Sequence, residues 1–181
     1  GEYEKLLKST DTDLKKEKAK EYYAAGQYVK SSELLGQILP RYRATEEAEE
    51  LNWMYAQSYY GMKDYFMAGS YYKTFVDQFP FGKHAEEANF LVGMCDYKIS
   101  ARAELDQENT KNALEELNIF INRYAYSPKS EECKKMISEL QDKLVDKSHN
   151  NAKLYYDMKE YKAAVVAINN SLKQYPTSAY R

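Results

Sequence analysis

A chain of 181 residues with 44% apolar side chains can bury a continuous core as a single domain. Its 26 Lys and Arg against 28 Asp and Glu leave a formal charge of −2. With both signs interspersed, this excludes a general nucleic-acid binder, and no run approaches the roughly 20 apolar residues that cross a bilayer. Tyrosine is the departure from ordinary composition: there are 19, a residue that suits both helix packing and half-wet binding surfaces.

Thr10, Asp11, Thr12 and Asp13 read as the capped start of a first helix that runs to about Ala25. Gly26–Gln27 is a turn, and a second helix is predicted from Tyr28 to Arg41. The next pair runs from Thr45 to Gly61 and, after Met62–Asp64, to Gln78, where Phe79, Pro80 and Gly82 stop it. The two pairs share a pattern. Ala19, Tyr22, Tyr23, Tyr28, Ser31, Leu35, Ile38 and Tyr42 recur 37 residues later as Ala56, Tyr59, Tyr60, Tyr65, Ala68, Tyr72, Phe75 and Phe79. Repetition of two short helices predicts a solenoid, usually a surface that holds other proteins.

A third pair opens with His84–Tyr97 and resumes at Ala113, Leu117, Phe120 and Ile121. The step from Phe79 to Tyr124 is 45 residues, so eight extra residues are expected as a loop around Ser100–Asn109. Ser127–Pro128 reads as an N-cap followed by Pro at the first helical position. The helix it opens has no Gly or Pro and is predicted to reach Tyr156, about 14 residues longer than its counterparts and roughly 20 Å further in reach. The fourth copy closes with Tyr161, Ala164, Ile168, Leu172, Tyr175 and Pro176, and Tyr180–Arg181 looks like the start of another helix. Because a terminal repeat needs a polar outer face, further sequence is expected after Arg181. The start at Gly1 likewise suggests a processed terminus. Four repeats are therefore expected, over about 12–43, 46–80, 84–126 with the insertion at 100–109, and 128–178.

Ala19, Ala56, Gly93 and Ala152, opposite Ala68, Ala113 and Ala164, are expected to let paired helices approach closely. Cys95 and Cys133 are expected as free, packed thiols, with a disulfide open only if the fold joins them. The catalytic inventory is thin. His84 and His149 lack partners at metal-ligand spacing. Glu104, Asp106 and Glu108 lack the spaced loop of a calcium site, and acids crowding helix starts answer to the helix dipole. No phosphate loop or nucleophile elbow is present. The chain is read as no enzyme, with no metal and no cofactor.

The small, aromatic and Pro positions of the second copy resemble the tetratricopeptide repeat, a right-handed, all-α solenoid. In that family the first helix of each repeat lines a concave groove. The resemblance implies groove positions at Lys16, Lys20 and Tyr23, then Glu50, Trp53, Gln57 and Tyr60, then Glu87, Phe90, Met94 and Tyr97, and finally His149, Lys153 and Tyr156. Tyr23, Trp53, Gln57, Tyr60, Phe90, Met94 and Tyr97 form the candidate peptide groove. For Trp53, Phe90, Met94 and Tyr60 two uses are open: contact with an apolar peptide, or packing between helices.

The flanks narrow the resemblance. Gly1–Ser9 (GEYEKLLKS), Lys18–Tyr23, Ala56–Tyr60, Tyr71–Phe75, Leu105–Gln107, Phe120–Tyr124 and Asp146–Tyr156 resemble, in order, the BamD-type lipoproteins of Bacteroidetes-like bacteria. One departure is Arg123-Tyr124-Ala125-Tyr126-Ser127, where that family favours a Pro after the Tyr. The resemblance implies a lipidated Cys just before Gly1, anchorage in the outer membrane facing the periplasm, and a fifth repeat beyond this chain. It also implies binding to the periplasmic domains of the barrel insertase and to unfolded outer-membrane proteins, without bond chemistry. The insertion and the long fourth-repeat helix are expected to meet the insertase through Leu105, Asp106, His149, Lys153 and Tyr156. The alternatives are a general tetratricopeptide adaptor in another envelope complex, and an accessory domain of an enzyme.

Overall fold

The computed structural model describes residues 1–102, 107–150, 162, 163 and 166, and the side chains of these apart from 102, 107 and 146–150. Every regular element among the described residues is helical. Eight α-helices follow in order: α1 (Glu2–Lys8), α2 (Thr12–Ala24), α3 (Tyr28–Ile38), α4 (Ala48–Gly61), α5 (Tyr65–Gln78), α6 (Ala85–Arg102), α7 (Gln107–Arg123) and α8 (Lys129–Asn150), with a 3-10 turn at Leu39–Tyr42. The chain forms two compact units, Gly1–Ala88 and Asn89–Arg181.

In the first unit α2 packs on α3, α3 on α4 and α4 on α5. Small residues set the spacing. Ala19, Ala56 and Ala68 are wholly buried, and the buried Ser31 hydroxyl donates to the Ala19 carbonyl at 2.9 Å. Between pairs the Tyr28 ring lies directly on Gly61, leaving no room for a Cβ there. The core gathers Ala19, Leu34, Leu35, Ile38, Tyr42, Leu51 and Met54.

Asp11, rather than Thr10, caps α2 by accepting from the Leu14 amide at 3.0 Å. Asp64 caps α5 from Met67 at 3.2 Å. The turns inside the pairs share one hydrogen-bond pattern. Gly26 N donates to Tyr23 O and Gln27 N to Tyr22 O; 37 residues on, Lys63 N donates to Tyr60 O and Asp64 N to Tyr59 O. Both turns need a left-handed residue, Gly26 at φ 74° and Lys63 at φ 62°, the usual close of a helix. The turns between pairs recur too. Thr45, Gly82 and Ser127 donate to Tyr42, Phe79 and Tyr124, and Ala48, Ala85 and Ser130 donate to Thr45, Gly82 and Ser127.

Three elements depart from the sequence reading. The α1 helix was not expected, since seven residues with only Tyr3, Leu6 and Leu7 apolar carry too short a period to register. It exists by docking. Tyr3, Leu6 and Leu7 pack on the core cluster, and the Tyr3 hydroxyl bonds Glu33. The Lys15 ammonium, on a side chain 7% exposed, donates to the Leu7 carbonyl at 3.0 Å and to Gln37 at 2.7 Å, closing the C-terminal end of α1. Second, the helix expected to run to Arg41 tightens into a 3-10 turn at Leu39, where Pro40 supplies no amide hydrogen. Third, the expected loop at 100–109 is largely helical: α6 runs to Arg102 and α7 starts at Gln107. The buried pair Ser100–Thr110, 2.7 Å between hydroxyls, joins the two extensions. Leu105 and Asp106 lie outside the described residues.

In the second unit α7 packs on α8, and Leu117 Cδ2 would meet a Cβ on Gly93 at 2.9 Å, so α6 and α7 also approach closely. The Ser127 hydroxyl accepts from the Lys129 amide at 3.2 Å at the start of α8. Cys95 and Cys133 are free and buried, and burial pushes both thiols up to about 12.

The two left-handed turn residues make opposite forecasts. Nothing lies within 4 Å of a Cβ at Gly26, so Gly26→Ala incurs backbone strain alone and should cost about 1 kcal/mol in urea unfolding. Lys63→Gly relieves that strain and should be neutral or stabilising by up to about 1 kcal/mol.

Candidate functional site

The first helices of successive pairs carry Lys16, Trp53 and Phe90 at one position, 37 residues apart. Each meets the first residues of the following pair by a different chemistry. In the first unit the Lys16 ammonium contacts both Glu47 carboxylate oxygens at 3.1 Å, and Trp53 stacks on His84 at 4.4 Å between centroids with 5° between planes. In the second unit the Lys129 ammonium lies 4.9 Å above the Phe90 ring. Glu47 and His84 are themselves 37 residues apart, and Lys129 comes after His84 by the same 45 that separates Phe79 from Tyr124.

This seam covers Trp53 and Phe90, two of the rings for which both uses were open. Trp53 is 5% exposed and Phe90 6%. Trp53 also touches Phe75 at 5.5 Å and Tyr72 at 5.7 Å, and Phe90 meets Phe120 at 5.6 Å. Both rings are internal packing, because the next pair begins directly over them. His84, which by sequence has no partner at metal-ligand spacing, closes this contact. Its Nε2 lies 3.0 Å from Glu50 Oε2, its amide donates to Glu49 at 3.4 Å, and Lys83 reaches Glu50 at 3.6 Å. Burial pulls the Glu50 carboxyl up, but His84 and Lys83 together outweigh it and hold the group below the usual carboxylate range. The sequence signal for His84 was its register with Glu47.

Tyr23, Gln57 and Tyr60 stand half-buried on the same unit and do come together. Gln57 hydrogen-bonds Tyr23 and accepts from the Tyr72 hydroxyl. The Tyr60 ring stands 6.2 Å from Tyr72 and edge-on to Tyr65 at 5.4 Å, as Tyr23 does to Tyr28 at 5.8 Å. Burial raises the Tyr23 hydroxyl pKa, and the Glu50 and Glu87 charges add to it. In the second unit Met94 is half-buried, and the Tyr97 hydroxyl donates to Glu139 at 2.8 Å; burial and Glu139 push it up to about 12. The side chain of His149, in α8, and the residues Lys153 and Tyr156 lie outside the described residues.

These surfaces offer rings, an amide and scattered charges. Among the described residues no group of three or more His, Cys, Asp or Glu could hold a metal. The chain matches the YfiO family, described as outer membrane lipoprotein, over residues 10–181. It belongs to this family, which is the BamD family that the sequence resembles. No curated protein matches the chain. BamD-family lipoproteins are non-catalytic, and this chain is not an enzyme; its role is scaffolding. No described helix is long and apolar enough to cross a membrane.

The seam and the open tyrosines should respond differently to truncation. Trp53→Ala removes a buried ring and should cost about 3–5 kcal/mol in chemical unfolding, whereas Tyr60→Ala, half-exposed, should cost less than about 2 kcal/mol. The Glu50 contact should be pH-dependent. A carboxyl depressed in the folded state contributes stability above its unfolded pKa, near 4.3 for Glu, and loses it as pH falls through the lower folded value. The wild type should therefore lead Glu50→Gln by less than about 1 kcal/mol near neutral pH, the carboxylate being half in solvent, and that lead should vanish between about pH 5 and pH 3 in acid unfolding.

Proposed function

We propose that this protein is a tetratricopeptide scaffold of the outer-membrane β-barrel assembly machine, lipid-anchored and facing the periplasm. Its helix pairs form a right-handed solenoid of repeats over about 12–43, 46–80, 84–126 and 128–178. It holds unfolded barrel proteins on the inner faces of its first helices and docks the periplasmic domains of the barrel insertase through its C-terminal half. Membership of the outer membrane lipoprotein family carries this reading. The half-buried Tyr23, Gln57 and Tyr60, side chains with rings and polar ends, support the client surface. Rigid amphipathic rings bind varied apolar segments at low entropic cost. Met94 and Tyr97 offer a similar pairing of soft and polar contacts in the second unit. In this reading Trp53 and Phe90 act from beneath, holding the helices that present the surface. The insertase contact is assigned to the region of Leu105, Asp106, His149, Lys153 and Tyr156.

The test is a titration of a peptide copied from the C-terminal strand of an outer-membrane barrel protein. Binding should be roughly micromolar, and Tyr23→Ala with Tyr60→Ala should weaken it by about 1–3 kcal/mol while circular dichroism stays unchanged. Equal affinity for the folded variant would remove this surface. Failure of the natural, complete protein to co-purify with the insertase's periplasmic domains would remove the assembly reading itself.

A further inference from the structure

The first unit holds a cleft of about 350 Å³ at the turn between its two helix pairs, with Leu39, Pro40, Arg43, Asn52, Gln78 and Phe79 in its walls. It is separate from the tyrosine surface of Tyr23, Gln57 and Tyr60. The volume is that of a small ligand site, sufficient for one large side chain with its backbone. Leu39, Pro40 and Phe79 make it apolar. Three polar groups at its walls have unused hydrogen-bonding capacity. Arg43 is exposed and makes no hydrogen bond or ion pair with any described residue. The Asn52 amide nitrogen donates to the Ala48 carbonyl at 2.8 Å, which leaves the amide oxygen to accept. The Gln78 amide bonds no described side chain.

Arg43 is also held in place. The turn that carries it is closed twice on the Tyr42 carbonyl, by the Thr45 amide at 3.1 Å and by the Thr45 hydroxyl at 2.6 Å. Ala44, the next residue, sits at φ 61°, a conformation that costs a non-glycine residue energy and is retained where the surroundings enforce it. Arg43 thus projects from a fixed turn at the edge of an apolar cleft, with a hydrogen-bond acceptor in the wall.

We propose that this cleft is a second peptide-binding site, and that it takes a protein segment in which a large apolar side chain is followed by an acidic one. The apolar side chain occupies the space between Leu39 and Phe79, the segment's backbone N–H donates to Asn52, and the carboxylate pairs with Arg43. Charge selects the occupant. A guanidinium with no partner among the described residues, at the edge of an apolar cleft, favours a carboxylate, which it can hold in a two-pronged hydrogen bond. An apolar-only segment leaves Arg43 unused, and a basic one is repelled. The proposal does not depend on the client surface, because it concerns a different face and different residues.

The probe is the peptide acetyl-Gly-Phe-Asp-Gly-amide, compared with its Asn counterpart, titrated into the isotopically labelled chain while the amide resonances of Ala44 and Thr45 are followed. The Asp peptide should shift both resonances at millimolar concentration and bind about fivefold more tightly than the Asn peptide. In Arg43→Gln, an exposed change that leaves the fold intact, that preference should disappear, the double-mutant cycle assigning it to the pair. Asn52→Leu should weaken both peptides alike. The proposal is overturned if neither peptide moves these resonances, or if the Asp preference survives in Arg43→Gln. It is equally overturned if phosphatidylglycerol vesicles move them and the peptides do not, which would assign the cleft to lipid.

Discussion

The close approach of paired helices at residues with almost no side chain is the constraint on which this structure rests. Ala19, Ala56, Ala68 and Ala113 are wholly buried, and a single methyl on Gly93 would already meet Leu117. Where backbones come this near, the larger residues flanking the contact, such as Leu35, Tyr72 and Leu117, are driven into the layers on either side, where they bury their surface. A protein built this way gains its stability from neighbours in sequence. Its turns must therefore deliver each helix at the same angle, which is why the same hydrogen bonds recur at Gly26 and Lys63 and again at Thr45, Gly82 and Ser127.

The seam between one pair and the next is under a looser constraint. The position shared by Lys16, Trp53 and Phe90 must be filled and must contact the start of the succeeding pair, but the contact is an ion pair once, a ring stack once and a cation over a ring once. These chemistries are not equivalent in strength. An ion pair with its carboxylate still partly in solvent contributes modestly, whereas a buried indole contributes through its area. The seam at Trp53 and His84 is accordingly the one on which the first unit depends most. It also keeps Trp53 out of solvent, so the faces left for partners belong to side chains one and two turns further along α4, Gln57 and Tyr60.

A surface of this kind recognises by shape and by rings with polar ends, and it asks nothing of bond chemistry. That agrees with membership of a family of non-catalytic outer membrane lipoproteins. The cysteines fit the same picture. Both are packed in the second unit, where burial suppresses the thiolate that a reactive cysteine needs.

Local pattern by itself determined the all-helical class and the alternation of helix and turn, because both depend on residues within one or two turns of each other. The 37-residue register of Ala19 with Ala56 and of Tyr23 with Tyr60, the stop at Pro80, and the cap at Ser127 were all legible for that reason. The family was legible in the order of many weak motifs. The tertiary structure decided what depends on distant partners. Helix α1 has too few residues to hold together alone and exists because Lys15 and Glu33 receive it. The extensions of α6 and α7 exist because Ser100 and Thr110 meet across them. Whether Trp53 faced a ligand or a neighbour could not be read from its helix, since either face of an aromatic stripe looks the same in sequence. It was decided by His84, 31 residues away, whose ring lies flat against the indole.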